Sequence, residues 1–135
     1  IEGLEVVADR IRSFDRQLRR RRNGTAVSTR VFDQERLLSS GSFDMIEFLE
    51  AEPGLRIADC GAYYCVVRRG RLEVPQVYID EVPIFRGMDQ LRFYQPHELH
   101  LVEVYAQGRE IRAYTHQFME RMVRRPMALL PVGRF

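Results

Sequence analysis

Apolar positions along this 135-residue chain switch between two periods. Residues 4–8 (LEVVA) are an unbroken apolar run of buried-strand length, which predicts a short strand. Ile11, Phe14 and Leu18 then recur at helical spacing. The arginines at 19–22 prolong that segment, and Asn23-Gly24 stops it as a helix C-cap does. Asp33 predicts the cap of a short helix reaching Leu38. After the break at Ser39-Ser40-Gly41, Ser42 predicts the cap of a helix with Met45, Ile46 and Leu49 on one face, closed by Pro53-Gly54.

From there the period shortens to two. Residues 55–59 and 63–68 read as strands around a turn at Gly61, and Gly70 marks another turn. Residues 76–80 (QVYID) form a third strand, with 82–85 pairing nearby. Met88, Leu91 and Tyr94 return to helical spacing, and Pro96 opens one further helical turn. Residues 101–105 form the next strand, closed by Gln107-Gly108. Residues 109–115 read as a strand and 115–123 as a terminal helix. The pattern predicts an α+β fold, a small mixed sheet with two to four short helices, in a single domain over residues 1–123. Residues 124–135 are expected as an extended C-terminal arm or an edge strand. VYI and VEV alternate, so their two strands are expected side by side, with residues 85–99 packed across them.

Composition narrows this only a little. The length suits one domain with a core, and no apolar run approaches a membrane span. Net charge is +2, yet all 21 basic residues are arginine. Codon bias explains such usage; so do fixed carboxylate or phosphate partners, which the planar guanidinium fork fits. The arginines at 19–22 suit the negative end of a helix better than a nucleic-acid surface, because charge is nearly balanced and no stacking aromatics interleave. The chain opens at Ile1 without a methionine or a leader, as expected after removal of a signal segment or for part of a longer product.

Catalytic chemistry finds little footing. His97-Glu98-Leu99-His100 lacks the four-residue histidine spacing of the zinc HExxH motif, so no metal site is expected. No phosphate loop or nucleophile elbow occurs, and no cofactor is expected. Asp80-Glu81 is an acidic pair at a strand end, more often a solvated turn than an acid–base pair or a cation site. Cys60 and Cys65 are buried thiols in a reducing compartment or a disulfide in an oxidising one.

Three stretches carry a resemblance. They are FLEAEPGL at 48–55, VYIDEVP at 77–83 and LHLVEVYAQG at 99–108. In this order and spacing they resemble the plug domain of TonB-dependent outer-membrane receptors, across roughly half of the chain. Each motif alone is weak; the order is the specific part. The upstream stretches RIRSFDRQLRRRRNG and VSTRVFDQERL are similar to the lead-in of plug-like proteins. Glu81 stands where the family has glycine, so that tight turn is expected to differ. The chain stops at Phe135, so the resemblance implies a plug-like domain without its barrel.

The expectation that follows is a non-catalytic periplasmic module, an accessory or scaffold subunit on a larger bacterial membrane complex. Such a complex is a transport, respiratory or photosynthetic one. Its partners are integral membrane or other envelope proteins, with contact to a membrane surface and none to nucleic acid. Partner contacts are expected along the tail, at Arg124, Arg125, Met127, Leu129, Leu130, Arg134 and Phe135. The alternatives are a fragment of a TonB-dependent receptor, a small enzyme or ligand-binding domain using Asp80, Glu81 or Cys65, and a nucleic-acid binder using the arginines at 19–22.

Overall fold

The computed structural model describes residues 2–125 and 128–133. Helix α1 runs from Glu2 to Asn23 and so absorbs the LEVVA run that was expected as a strand. Leu4, Val6 and Val7 lie exposed on its first turns, so that run is not a buried strand but the overhanging start of a long helix. Helix continuity outweighs the β preference of two valines. The stop at Asn23-Gly24 holds, with the Gly24 N–H closing on the Arg20 and Arg21 carbonyls.

Strand β1 (Thr29–Phe32) leads to α2 (Gln34–Leu38), capped as expected by Asp33, which accepts from the Arg36 N–H. Helix α3 (Met45–Glu50) is capped by Asp44, not by Ser42. Asp44 accepts from the Glu47 N–H while Glu47 accepts from the Phe43 N–H, so the cap sits two residues later than predicted.

Strands β2 (Ile57–Asp59), β3 (Tyr64–Arg68) and β4 (Arg71–Glu73) form a small antiparallel sheet. Cys60 and Cys65 are joined as a disulfide at its first turn. Strand β4 was not foreseen. It is three residues long and turned from β3 by Arg69-Gly70, both at positive φ.

Strands β5 (Gln76–Ile79) and β6 (Val82–Ile84), helix α4 (Gly87–Leu91), a 3-10 turn at Pro96–Glu98, β7 (Leu99–Tyr105), β8 (Glu110–Thr115) and α5 (His116–Arg124) complete the chain. The larger sheet has the order β1-β7-β8-β5-β6 and is antiparallel except for β5 against β8. The fold is therefore α+β with a small mixed sheet, and its helices number five among the described residues. The VYI and VEV strands, β5 and β7, are not neighbours as expected, because β8 lies between them.

Each face of the larger sheet is covered. Val77, Ile79, Val102, Val104, Ile111 and Ala113 point towards α2, α3 and α4. Leu101 and Tyr114 meet Phe14, Leu18, Phe118 and Met122 of α1 and α5. His100 is the extra residue of a bulge: Leu99 pairs with Thr115 and Leu101 with Tyr114. The bulge puts Leu99 in one core and Leu101 in the other, although strict alternation would place them together.

Candidate functional site

The α1 face of the sheet is not simply apolar. Glu110, Arg112 and Tyr114 alternate along β8, and Glu103 lies opposite Arg112 on β7. On α1, Arg21 continues the stripe of Phe14 and Leu18, at the next position facing the sheet. The result is an alternating buried chain: Arg22, Glu103, Arg21, Glu81, Arg112, Glu110. Arg21 reaches Glu81 at 2.7 Å and Glu103 at 2.8 Å. Arg112 reaches Glu81 and Glu110, each at 2.8 Å, and its guanidinium lies 4.0 Å over the Tyr78 ring. The Tyr114 hydroxyl accepts from Arg21 and donates to Glu81 at 2.6 Å. Three guanidinium groups face three carboxylates, so the cluster is neutral as a whole.

The charge states are held firmly. Burial pushes the Glu81 carboxyl up, but the Tyr114 and Arg21 hydrogen bonds and the charges of Arg21 and Arg112 outweigh it and hold it below its usual value. Burial, with Glu103 close by, raises the Tyr114 hydroxyl, which keeps its proton for Glu81 through the neutral range. Burial also opposes the charge on Arg21, and the oxygens of Tyr114, Glu103 and Glu81 more than offset it.

Glu81 therefore binds fewer protons folded than unfolded near its titration. Its stabilisation is present above the ordinary carboxylate value of about 4.3 and is lost as pH falls through the lowered folded value. Urea denaturation from pH 7 to pH 3 is expected to show a steeper acid loss for the native chain than for Glu81→Gln. Equal slopes would refute this role for Glu81.

The turn that carries Glu81 corrects two expectations. Asp80-Glu81 is a two-residue hairpin loop, with Ile79 paired to Val82 and both central residues at positive φ (54 and 67). That is the positive-φ pairing an Asp-Gly turn takes, so the glutamate has not altered it. Nor is the turn a solvated one: Glu81 is buried, anchored to Arg21, Arg112 and Tyr114, and Asp80 accepts from the Thr115 N–H and hydroxyl at 2.8 Å each. Backbone strain at a non-glycine residue is sustained by those bonds. Every carboxylate oxygen of Glu81, Glu103 and Glu110 accepts a hydrogen bond.

The arm completes the cluster. Arg21 donates to the Leu130 carbonyl at 3.0 Å and Arg112 to the Pro131 carbonyl at 2.9 Å. The Leu130 and Gly133 N–H groups donate to Glu81 and Glu110. Residues 128–133 take no regular secondary structure. Of the expected tail contacts, Arg124 ends α5, Arg125 follows it, Leu129 packs partly on the α1–α5 cluster and Leu130 is largely exposed. Met127, Arg134 and Phe135 lie outside the described residues.

Elsewhere, His100 meets Asp15 at 3.1 Å, and His116 approaches the His97 carbonyl. Among the described residues, no group of three His, Cys, Asp or Glu side chains is placed to hold a metal ion. A second surface feature lies at the β6 edge. A groove of about 450 Å³ is lined by Tyr63, Val74, Pro75, Pro83, Ile84, Phe85 and Arg86. Phe85 is 88% exposed, and the Arg86 guanidinium lies 5.2 Å from the Tyr63 ring and 5.3 Å from the Phe85 ring.

Fold and cluster together define an α+β domain with a mixed sheet covered on both faces. No family model and no curated protein matches the chain. A structural neighbour is a TonB-dependent receptor, the ferric yersiniabactin uptake receptor FyuA from Yersinia pestis, at 19% identity and a TM-score of 0.49. The match covers 67% of this chain and 17% of that receptor's chain. Among the described residues no helix is long and apolar enough to cross a membrane.

Proposed function

We propose that this domain is a non-catalytic interaction module on the periplasmic side of a bacterial envelope, docking on a larger membrane protein assembly. The groove beside β6 carries the reading. Large aromatic side chains left in water beside an arginine are the residue types that anchor protein interfaces. Phe85 and Val74 are both exposed there, and Arg86 is already stacked on its aromatic neighbours. Pro83 lies on the edge strand and carries no N–H, so the side chains rather than an added strand form the contact.

The test is gentle detergent extraction of the native membrane, then size exclusion and mass spectrometry. The native chain is expected to travel with integral membrane proteins, and Phe85→Asp is expected to travel alone with an unchanged circular dichroism spectrum. A native chain that migrates alone defeats the reading. Co-migration untouched by Phe85→Asp moves the contact away from this groove.

A second reading, a plug domain belonging to a TonB-dependent receptor, is favoured by the turn at Asp80-Glu81. It keeps positive φ at both residues at the place where the plug motif has Asp-Gly. Reading the gene beyond residue 135 tests it. A run of alternating segments of about ten residues, as barrel strands require, supports a receptor.

A further inference from the structure

The buried charged chain has spent its charge on itself but not all of its hydrogen bonds. What remains on its outer side is a set of dipolar donors and acceptors, which suits peptide groups rather than ions. We infer that the surface formed by Arg21, Glu81, Glu110 and Arg112 is a receptor for the main chain of an extended peptide. Residues 128–133 occupy it in cis, and a partner's extended segment takes it by displacing them.

Four observations carry this. All four polar contacts to the arm go to its main chain: the Leu130 N–H and carbonyl, the Pro131 carbonyl and the Gly133 N–H. The position held by Pro131 needs only a carbonyl, so proline is accepted there. The arm buries little side chain, with Leu129 its apolar anchor and Leu130 43% exposed. An open surface pocket of about 490 Å³ lies between Pro131, Val132, Gly133 and the end of α1. The members of the groove are bonded to one another as well as to the arm. The recognised segment is thus an apolar residue followed by extended chain that offers an N–H, two successive carbonyls and a further N–H. The inference stands apart from the groove at β6.

The test uses the full chain and a fluorescein-labelled peptide of residues 128–133 (ALLPVG). Leu130→Pro with Gly133→Pro removes both donors from the cis arm and touches no groove residue. Fluorescence anisotropy is expected to show the peptide binding this variant at least about tenfold more tightly than the native chain, since hydrogen bonds to charged groups are the stronger ones. A peptide N-methylated at the same two positions is expected to lose about the same factor. Equal binding to both proteins, or equal binding of both peptides, overturns the inference. Hydrogen exchange of the native chain gives a check free of any variant. The Leu130 and Gly133 amides are expected to exchange far faster than those of β7 and β8, and exchange at the global unfolding rate overturns displacement.

Discussion

Replacing Arg112 with alanine is expected to cost about 3–5 kcal/mol of folding stability, the scale for breaking a buried ion pair from one side. Arg112 is almost wholly buried and bonds Glu81, Glu110 and the Pro131 carbonyl while stacking on Tyr78. Glu81 would keep Arg21 and Tyr114, but among the described residues Glu110 would keep only the Gly133 N–H. A buried carboxylate without its cation is the main loss. Arg112→Lys is expected to recover less than half, since one ammonium cannot reproduce a fork that spans two carboxylates. Arg22→Ala is expected to cost far less, because Glu103 retains Arg21. Urea denaturation checks all three, with the midpoint falling and the slope unchanged. A penalty under about 1 kcal/mol at neutral pH would place Arg112 with ordinary surface pairs.

Gly87→Ala is the second large expected effect, a loss of about 1–3 kcal/mol or more by overpacking. A Cβ there would stand 2.3 Å from Val77 Cβ and 2.8 Å from its Cγ1. Helix α4 is pressed so closely on β5 that hydrogen is the only side chain the contact admits. Val77 lies in the central core and has no free direction in which to retreat. Gly41→Ala is the matched control, since nothing lies within 4 Å of a Cβ at that position. It is expected to change stability by less than about 0.5 kcal/mol. A thermal midpoint for Gly87→Ala equal to that of Gly41→Ala would show that α4 shifts away from the sheet at little cost.

Local signals in the sequence led to most elements and failed where burial decided. The caps at Asn23-Gly24 and Asp33 and the turns at Gly61 and Gly70 are written in the chemistry of single residues. Strand order is not, and β8 separates β5 from β7 because pairing at long range leaves no local mark. The LEVVA run misled because an apolar cluster reads alike whether it is buried or overhanging. The charged cluster was partly legible. Arg21 falls on the stripe of Phe14 and Leu18, and Glu103 and Arg112 interrupt apolar strands. Those positions mark polar residues bound for the interior. Which arginine meets which glutamate depends on the fold, as does the conversion of Asp80-Glu81 from a turn in water to the centre of a network. The preference of arginine for fixed carboxylates, one of two explanations of its use here, describes what Arg21 and Arg112 do.

The place of β8 has a consequence for how the chain is born. Among the described residues it is the last strand in sequence, and it is the middle strand of its sheet, with β1-β7 on one side and β5-β6 on the other. Until residue 115 has emerged, the two halves have no common partner, and α1 cannot join Tyr114 or Phe118. The larger sheet therefore stays open until β8 has been made. Its arrival joins the two pairs of strands, the α1–α5 layer and the ionic cluster together, so that folding is governed by completion rather than by growth.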